Sequence, residues 1–144
     1  MNFENFKKIY DEINPAYLNL TGIGEPLLNP DLFKIISYAK KHDSIVKLDS
    51  NATLLNDENI KKLLSVQPNI ISVSIDSVNK KNYEKIRKNA KFDEVIYNFK
   101  NLISQRNNLK SPTKIHVNFV LQKENILELI DLITFFDALG VDSV

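Results

Sequence analysis

The feature that most constrains the fold of this chain is a regular alternation of short strand-like segments with amphipathic helical segments. A helical pattern over 3–13 comes first, and strand-like segments then recur at 17–20, 45–48, 70–75 and 115–121, of which 70–75 is rich in β-branched residues. Between these segments, apolar residues recur at helical spacing. Two such helical patterns begin near 29 and 56, and three more cover 79–88, 92–104 and 126–139. Repeated βα order predicts a parallel sheet with helical crossovers.

The length of the chain limits how much of such an architecture it can build. Its 144 residues suffice for one domain with a real core. A complete eightfold barrel needs about 250 residues, so the pattern predicts either part of a barrel or a smaller open sheet. We expect an α/β domain over 1–144: a partial (βα) barrel of parallel strands, with roughly four βα units plus an N-terminal helix. Residues 141–144 are predicted to begin a fifth strand.

Composition excludes several classes of function. The net charge of +1 gives no footprint for nucleic acid or an anionic membrane, and no apolar run approaches the ~20 residues of a membrane span. The start of the chain shows no secretory leader, which predicts a cytoplasmic protein. With no cysteine, the chain itself supplies no disulfide, thiolate nucleophile or thiolate metal ligand. Two histidines are too few for a histidine-based metal cage, so we assign no metal ligand and no catalytic residue.

The segment Gly22-Ile23-Gly24-Glu25-Pro26 lies where the first strand should end and a helix begin. Gly24 removes the side-chain barrier to close approach of a ligand to the backbone. Glu25 offers an acceptor for an ammonium group, and Pro26 fixes the direction in which the chain leaves the turn. The segment therefore predicts a ligand-binding turn at the end of the first strand.

Polar residues also follow the next two strands, at 50–53 and 74–76. In the third strand, Ser72, Ser74 and Asp76 share the face opposite an apolar one; in the fourth, His116 and Asn118 do the same. The carboxyl ends of parallel strands meet at one edge, where barrels and open α/β sheets bind ligands. We expect these polar residues to gather there.

These segments resemble the radical S-adenosylmethionine (radical SAM) superfamily. Residues 20–30 resemble its glycine-glutamate-proline segment, 50–55 its threonine-asparagine-glycine segment, and 72–77 its fourth strand. Arg87, followed by Phe92-Asp93-Glu94-Val95-Ile96, resembles the helical stretch that comes next, and Asn125 with Leu139-Gly140-Val141 resembles the pattern after the fifth strand. The match covers nearly the whole chain, and the motifs occur in the family's order.

The resemblance implies a barrel that holds a four-iron cluster and SAM. Glu25 and the backbone of Gly22, Gly24 and Pro26 would hold the SAM amino group, and Ser50 and Asn51 would lie near its methionine end.

By the same resemblance, Ser74 would reach the ribose or carboxylate, with Asp76 beside it. Arg87 would pair with the carboxylate, for which a guanidinium fork is well shaped. The surroundings of Asn118 would line the adenine side.

The chain departs from the family in three respects. The family's later strands are absent, and with them part of the adenine wall and the substrate specificity region. The family's cysteine trio and the strand before it are absent, so a [4Fe–4S] cluster is expected only in an intact parent. Ala52 stands where the family has glycine; if the position needs positive φ, alanine costs about 1 kcal/mol.

Three functions follow. The first is a fragment of a radical SAM enzyme, the SAM-binding part of a parent that reductively cleaves SAM to a 5′-deoxyadenosyl radical. The second is a cluster-less, non-catalytic or degenerate module that binds SAM or a nucleoside. The third is an unrelated barrel enzyme acting on a phosphorylated metabolite, with Gly22 to Gly24 as an anion-binding turn.

The expected partner is a small-molecule cofactor, with no nucleic acid or membrane and with an unassigned substrate. Open sheet edges at 17–20 and 141–144 predict self-association or limited stability in isolation.

Overall fold

A computed structural model describes all 144 residues and contains one sheet of four strands in the order β1-β2-β3-β4. Every pair of neighbouring strands is parallel. The strands are β1 Tyr17–Leu20, β2 Ile45–Ser50, β3 Ile70–Ser74 and β4 Lys114–Asn118. The predicted α/β class and the parallel pairing are confirmed.

Helices precede and connect the strands. They are α1 Phe3–Ile13, α2 Leu32–Lys41, α3 Asp57–Val66, α4 Lys80–Ile86, α5 Phe92–Asn108 and α6 Leu129–Ala138, with 3₁₀ turns at Pro26–Leu28 and Ile126–Glu128. Three helices begin at an asparagine, Asn2, Asn56 or Asn79, whose side chain accepts a hydrogen bond from the backbone N–H three residues later. This cap satisfies one of the donors that a helix start leaves free. No helix is long and apolar enough to cross a bilayer.

The core lies between the sheet and the helices that cover one of its faces. Because consecutive parallel strands are neighbours and their crossovers are right-handed, all the crossover helices lie on the same side. Ile71, Val73 and Ile75 have no exposed surface, as expected for the helix-facing side of the third strand. α1 packs on α2 through aromatic rings, with Tyr10 and Tyr38 5.4 Å apart between centroids. The opposite face of the sheet carries the polar residues.

Three strands end at different residues from those predicted, and β3 differs by only one residue, since it ends at Ser74 and not at Ile75. β2 continues to Ser50, two residues beyond the predicted end, because it stays paired with β3 as far as Val73. β4 ends at Asn118 and not at 121. The cause is a side-chain contact: the Val120 N–H donates to Asp76 Oδ1 at 2.9 Å, which draws this backbone out of the sheet.

Several predicted helix limits also change. The pattern over 126–139 divides into a 3₁₀ turn and α6, and α4 covers only part of 79–88. Asn29 does not cap α2 directly. Its side chain accepts from the Asp31 N–H at 3.0 Å, and Asp31 occupies the cap position without a side-chain cap.

The predicted fifth strand is present only as its first contacts. Ser143 forms a parallel bridge with His116, and the Val117 N–H donates to the Ser143 carbonyl at 2.9 Å. The Asp142 carboxylate strengthens this junction, accepting from the Ile115 N–H and from Arg106 Nη1, each at 2.8 Å. The sheet therefore runs from β1 at one end to residues 142–143 at the other.

Candidate functional site

The predicted site residues lie at one edge of the sheet, formed by the carboxyl ends of the four strands and the loops that follow them. We call this edge the rim. The strand register places Ser50 beside Val73, and Ser74 beside Asn118. The expectation that topology gathers the polar strand ends is met.

Glu25 joins the turn after β1 to the end of β2. Its carboxylate is buried, and Oε1 accepts from the Ser50 hydroxyl at 2.9 Å and from the Leu27 N–H at 3.3 Å. Oε2 accepts from the Asn51 N–H at 2.7 Å. A carboxylate has about four acceptor positions. Donors of the protein occupy three of those on Glu25, so one position, on Oε2, is unoccupied.

The loop after β2 is held in a strained conformation by further hydrogen bonds. Ala52 has φ +63°, so the condition under which alanine is costly at this position is met. Its N–H donates to Ser50 Oγ at 3.0 Å, and its carbonyl accepts from Asn98 Nδ2 at 2.9 Å. Asn51 folds its side chain back to accept from Thr53. These hydrogen bonds hold the backbone of Ala52 in the left-handed conformation, which is higher in energy for alanine than for glycine.

Asp76 forms the second link along the rim, between β3, α4 and the loop after β4. Its Oδ2 accepts from Arg87 Nε at 2.6 Å, and its Oδ1 accepts from the Val120 N–H. The Asp76 side chain is 6% exposed and that of Arg87 27%. Only Nε of the guanidinium is used in this pair, which leaves the terminal N–H groups of Arg87 available to a ligand.

Ser74 and Asn118 are the predicted residues least engaged by the protein. Ser74 is half-buried and Asn118 is exposed, on neighbouring strands at the same level. Asn118 Nδ2 lies 3.5 Å from Asp49 Oδ1, at the limit of a hydrogen bond. Their polar groups are therefore free to bind something else.

The two rim glycines leave the backbone accessible. Gly24 has φ +113°, and at both Gly22 and Gly24 the position of a Cβ would meet nothing within 4 Å. The turn over 22–26 lines a groove of about 580 Å³ that continues along β1 and α1. Asn51 and Arg87 instead line a separate cleft of about 310 Å³. The predicted residues thus share one rim but divide between two concave regions.

Titratable groups near the rim are shifted by burial. Burial lowers the pKa of His116, and this effect outweighs the nearby Asp142 carboxylate, which alone would raise it. Burial raises the pKa of Tyr83, whose hydroxyl has no hydrogen-bond partner although Tyr83 lines the cleft with Arg87.

On the face of the sheet opposite the helices, Lys47 Nζ and Asp49 Oδ1 form an ion pair at 3.0 Å.

Three further residues hold the rim together, and the sequence alone did not indicate this structural role for them. Asn125 is buried, and its Nδ2 donates to the carbonyls of Asp76 at 2.8 Å and Val120 at 2.9 Å. Asn98 secures Ala52, and Glu128 accepts from Ser77 and Asn82. Each is a single polar residue in or before an apolar stretch, a pattern that also fits a helix cap or a solvated face.

No group of three histidine, cysteine or acidic side chains in the structure could hold a metal ion. Iron–sulfur clusters are held mainly by cysteine thiolates, and the chain has none. The rim is therefore suited to hydrogen-bonding recognition of a polar ligand, and its own residues do not fit a cluster.

The family model described as "Radical SAM superfamily" matches residues 2–136 of the chain. The chain is 28% identical, over its whole length, to the tungsten-containing aldehyde ferredoxin oxidoreductase cofactor-modifying protein of Pyrococcus furiosus, of which it covers 42%. It is 34% identical to a probable GTP 3′,8-cyclase of Methanocaldococcus jannaschii, with 81% of this chain and 38% of the relative aligned. The chain thus spans about two fifths of the length of these curated relatives.

The fold has a close counterpart among solved structures. The crystal structure of Streptococcus suis SuiB bound to S-adenosylmethionine superposes with a TM-score of 0.80 over 99% of this chain and 32% of SuiB, at 16% identity. SuiB bound to its precursor peptide SuiA gives a TM-score of 0.81. At this identity the likeness establishes the fold alone.

Proposed function

The chain belongs to the radical SAM superfamily, and we propose that it is the SAM-binding part of a radical SAM barrel whose cluster ligands are supplied outside its 144 residues. The observation that carries the proposal is the rim. Across four adjacent strands it presents an accessible glycine turn, a buried carboxylate with one free acceptor position, a guanidinium with free donors, and the neutral side chains of Ser74 and Asn118, which the protein engages least.

SAM requires this mixture because it combines an amino-acid zwitterion with a nucleoside. The carbonyls of the turn over 22–26 and the open position on Glu25 Oε2 would accept from the ammonium group. The terminal N–H groups of Arg87 would donate to the carboxylate. Ser74 and Asn118, side by side on β3 and β4, would bind the ribose and the adenine side.

The residues present do not fit the iron–sulfur cluster of the family. No cysteine is available, and no other group of side chains replaces it. We therefore derive no electron-transfer or bond-cleavage step for this chain, and its proposed contribution is to bind and orient SAM.

A cluster-less module that binds SAM or a nucleoside is the second candidate. It is favoured by one observation: the chain has no thiolate, yet it keeps Glu25, Asp76 and Arg87 in hydrogen-bonded order. Both candidates require SAM or nucleoside binding. They differ in whether an intact parent carries the cysteine trio, which sequencing the gene on both sides of this reading frame decides.

Binding is tested by calorimetric titration of the chain with SAM and, separately, with adenosine and inorganic phosphate. We expect SAM to bind, and Ser74→Ala and Asn118→Ala each to weaken it by roughly five- to tenfold, the worth of one hydrogen bond of about 1–1.4 kcal/mol. Matched controls are Ser104→Ala and Asn107→Ala on the exposed side of α5.

Phosphate binding tighter than SAM binding would instead favour the metabolite-binding barrel. Equal SAM affinity of the rim and control variants would contradict the proposed site.

A further inference from the structure

The amino ends of β2, β3 and β4 border a cleft of about 300 Å³ at the edge of the sheet opposite the rim. It lies roughly 16 Å from the rim, since a strand such as β2 advances about 3.3 Å per residue between Ile45 and Ser50. β2 and β3 each have a strand on both sides, and β4 lies between β3 and residues 142–143. The cleft is therefore enclosed by paired strands and does not lie at an unpaired edge of the sheet.

The side chains that line the cleft carry positive charge only. Lys40 comes from the last turn of α2, and Lys114 is the first residue of β4. The other lining residues are neutral, among them Gln67 and Asn69, and no aspartate or glutamate lines the cleft. Neither lysine forms an ion pair with a carboxylate of the chain. The cleft thus presents two ammonium groups without an opposing charge.

Lys40 differs in this respect from the other half-buried lysines. The chain has three of them, Lys7, Lys40 and Lys47. Lys7 and Lys47 each form an ion pair with an aspartate, at 2.6 Å and 3.0 Å. Lys40 Nζ donates instead to the neutral Asn69 Oδ1 at 2.7 Å. Because withdrawing an ammonium group from water without an opposing charge costs free energy, the position of Lys40 calls for an anion.

The hydrogen bond from Lys40 is not needed to hold Asn69 in place. Asn69 Oδ1 also accepts from the Val46 N–H at 2.9 Å, and the Asn69 backbone bonds to Val46 on one side and to Lys114 on the other. Since both side-chain contacts come from donors, they fix which atom of the amide is the oxygen. Asn69 Nδ2 donates to no group of the chain and is a further free donor in the cleft.

We propose that this cleft binds an oxyanion, the phosphate or carboxylate group of a small molecule. The ammonium groups of Lys40 and Lys114 supply the opposing charge, and Asn69 Nδ2 supplies a neutral donor. A volume of about 300 Å³ is at the lower end for ligand pockets and suits a compact group. Because the cleft and the rim lie at opposite ends of the strands, binding here does not depend on SAM binding at the rim.

Binding is tested by calorimetric titration of the chain with sodium phosphate and with sodium succinate, which separates a phosphate ligand from a carboxylate one. Potassium chloride keeps the ionic strength constant, so that general screening does not contribute. We expect at least one probe to bind, and Lys40→Met to weaken it roughly tenfold, the worth of one charge-assisted hydrogen bond.

The matched control is Lys61→Met, which changes an exposed lysine of α3 that does not line the cleft. We expect this variant to bind the probe as wild type does. Failure of both probes to bind, or equal affinities of the Lys40→Met and Lys61→Met variants, would overturn the proposal.

Nuclear magnetic resonance of the ¹⁵N-labelled chain distinguishes this cleft from the rim. We expect the bound probe to shift the side-chain amide signals of Asn69 and to leave the backbone signals of Gly22 and Gly24 unchanged, whereas SAM should do the reverse. An anion that shifts only the glycine signals would lie at the turn over 22–26 and would overturn the proposal. A chain that binds the probe in the cleft but does not bind SAM would contradict the proposed function alone.

Stability separates a binding role of Lys40 from a structural one. Lys40→Met keeps a long aliphatic side chain but removes the unpaired charge, so we expect its urea midpoint without anion to equal or exceed that of wild type. Saturating anion should raise the midpoint of wild type and not that of the variant. A variant that is destabilised without anion yet binds it with wild-type affinity would show that Lys40 serves only to contact Asn69, contrary to the proposal.

Discussion

The hydroxyl of Ser50 donates to Glu25 Oε1 at 2.9 Å, and this contact joins two loops that stand 25 residues apart in the sequence. The same carboxylate accepts from the Asn51 N–H. Glu25 is therefore a structural link as well as the proposed acceptor for the SAM ammonium group, and we expect a substitution there to change both stability and binding.

We expect Glu25→Ala to lower the free energy of unfolding by about 2–3 kcal/mol, since it leaves the Ser50 hydroxyl and the Asn51 N–H without their charged acceptor. Urea denaturation followed by circular dichroism measures the change. Glu12→Ala, an exposed position of α1, is the matched control. Equal stability of the two variants would show that the link contributes nothing.

The side chains of Asp76 and Arg87 should show a large pairwise interaction energy. Asp76 is nearly inaccessible to solvent and also accepts a hydrogen bond from the Val120 N–H. We expect Asp76→Ala to cost about 3 kcal/mol, as for removing one partner of a buried pair. A double-mutant cycle with Arg87→Ala isolates the pairwise energy. The exposed pair Lys80–Asp93 should show no measurable coupling in the same assay.

Ala52 is a position where two effects oppose each other. Ala52→Gly relieves about 1 kcal/mol of strain at φ +63° but removes a fully buried methyl group worth about 0.8 kcal/mol. Its stability should therefore stay within about 1 kcal/mol of wild type. Ala52→Val adds a β-branched side chain to the same strained, buried position, and should lose more than about 2 kcal/mol. A destabilised glycine variant with a stable valine variant would refute this account.

Acid should weaken the junction between β4 and residues 142–143. Partial burial alone would raise the pKa of Asp142, but hydrogen bonds from the Ile115 N–H and Arg106 leave that pKa lower than usual. A carboxyl with a lower pKa in the folded state stabilises above its unfolded pKa of about 4, and this contribution is lost as the pH falls through its folded value.

We therefore expect the urea midpoint to fall less steeply below pH 4 in Asp142→Asn than in wild type. The exposed Asp137→Asn is the control, for which we expect the wild-type slope. If the urea midpoint of Asp142→Asn fell with pH as steeply as that of wild type, the Asp142 carboxyl would not contribute to the loss of stability in acid.

Local sequence signals sufficed for much of the fold. The limits of α1 and β1 agree with prediction because apolar periodicity and an asparagine cap act within a few residues. The position of the rim was also predictable, since parallel topology alone brings strand ends together. The glycine that the family has at position 52 raised the question of a positive φ, and only the structure shows that Ala52 adopts one.

The links between loops were not predictable. The contact that ends β4 joins Asp76 to Val120 across 44 residues, and Asn125 reaches Asp76 across 49. Such contacts depend on how two loops approach in three dimensions, and no spacing in the sequence records it. For the same reason, no sequence pattern indicated that most acceptor positions of the Glu25 carboxylate would be occupied by donors of the protein itself.

The order of the strands has a consequence for synthesis of the chain. Because each strand pairs with the one that precedes it in the sequence, the sheet can grow one unit at a time as the polypeptide leaves the ribosome. The link from Glu25 to Ser50 can form once two strands have emerged, whereas the link from Asp76 to Val120 must await the fourth. The half of the rim around Glu25 would thus form before the half around Asp76.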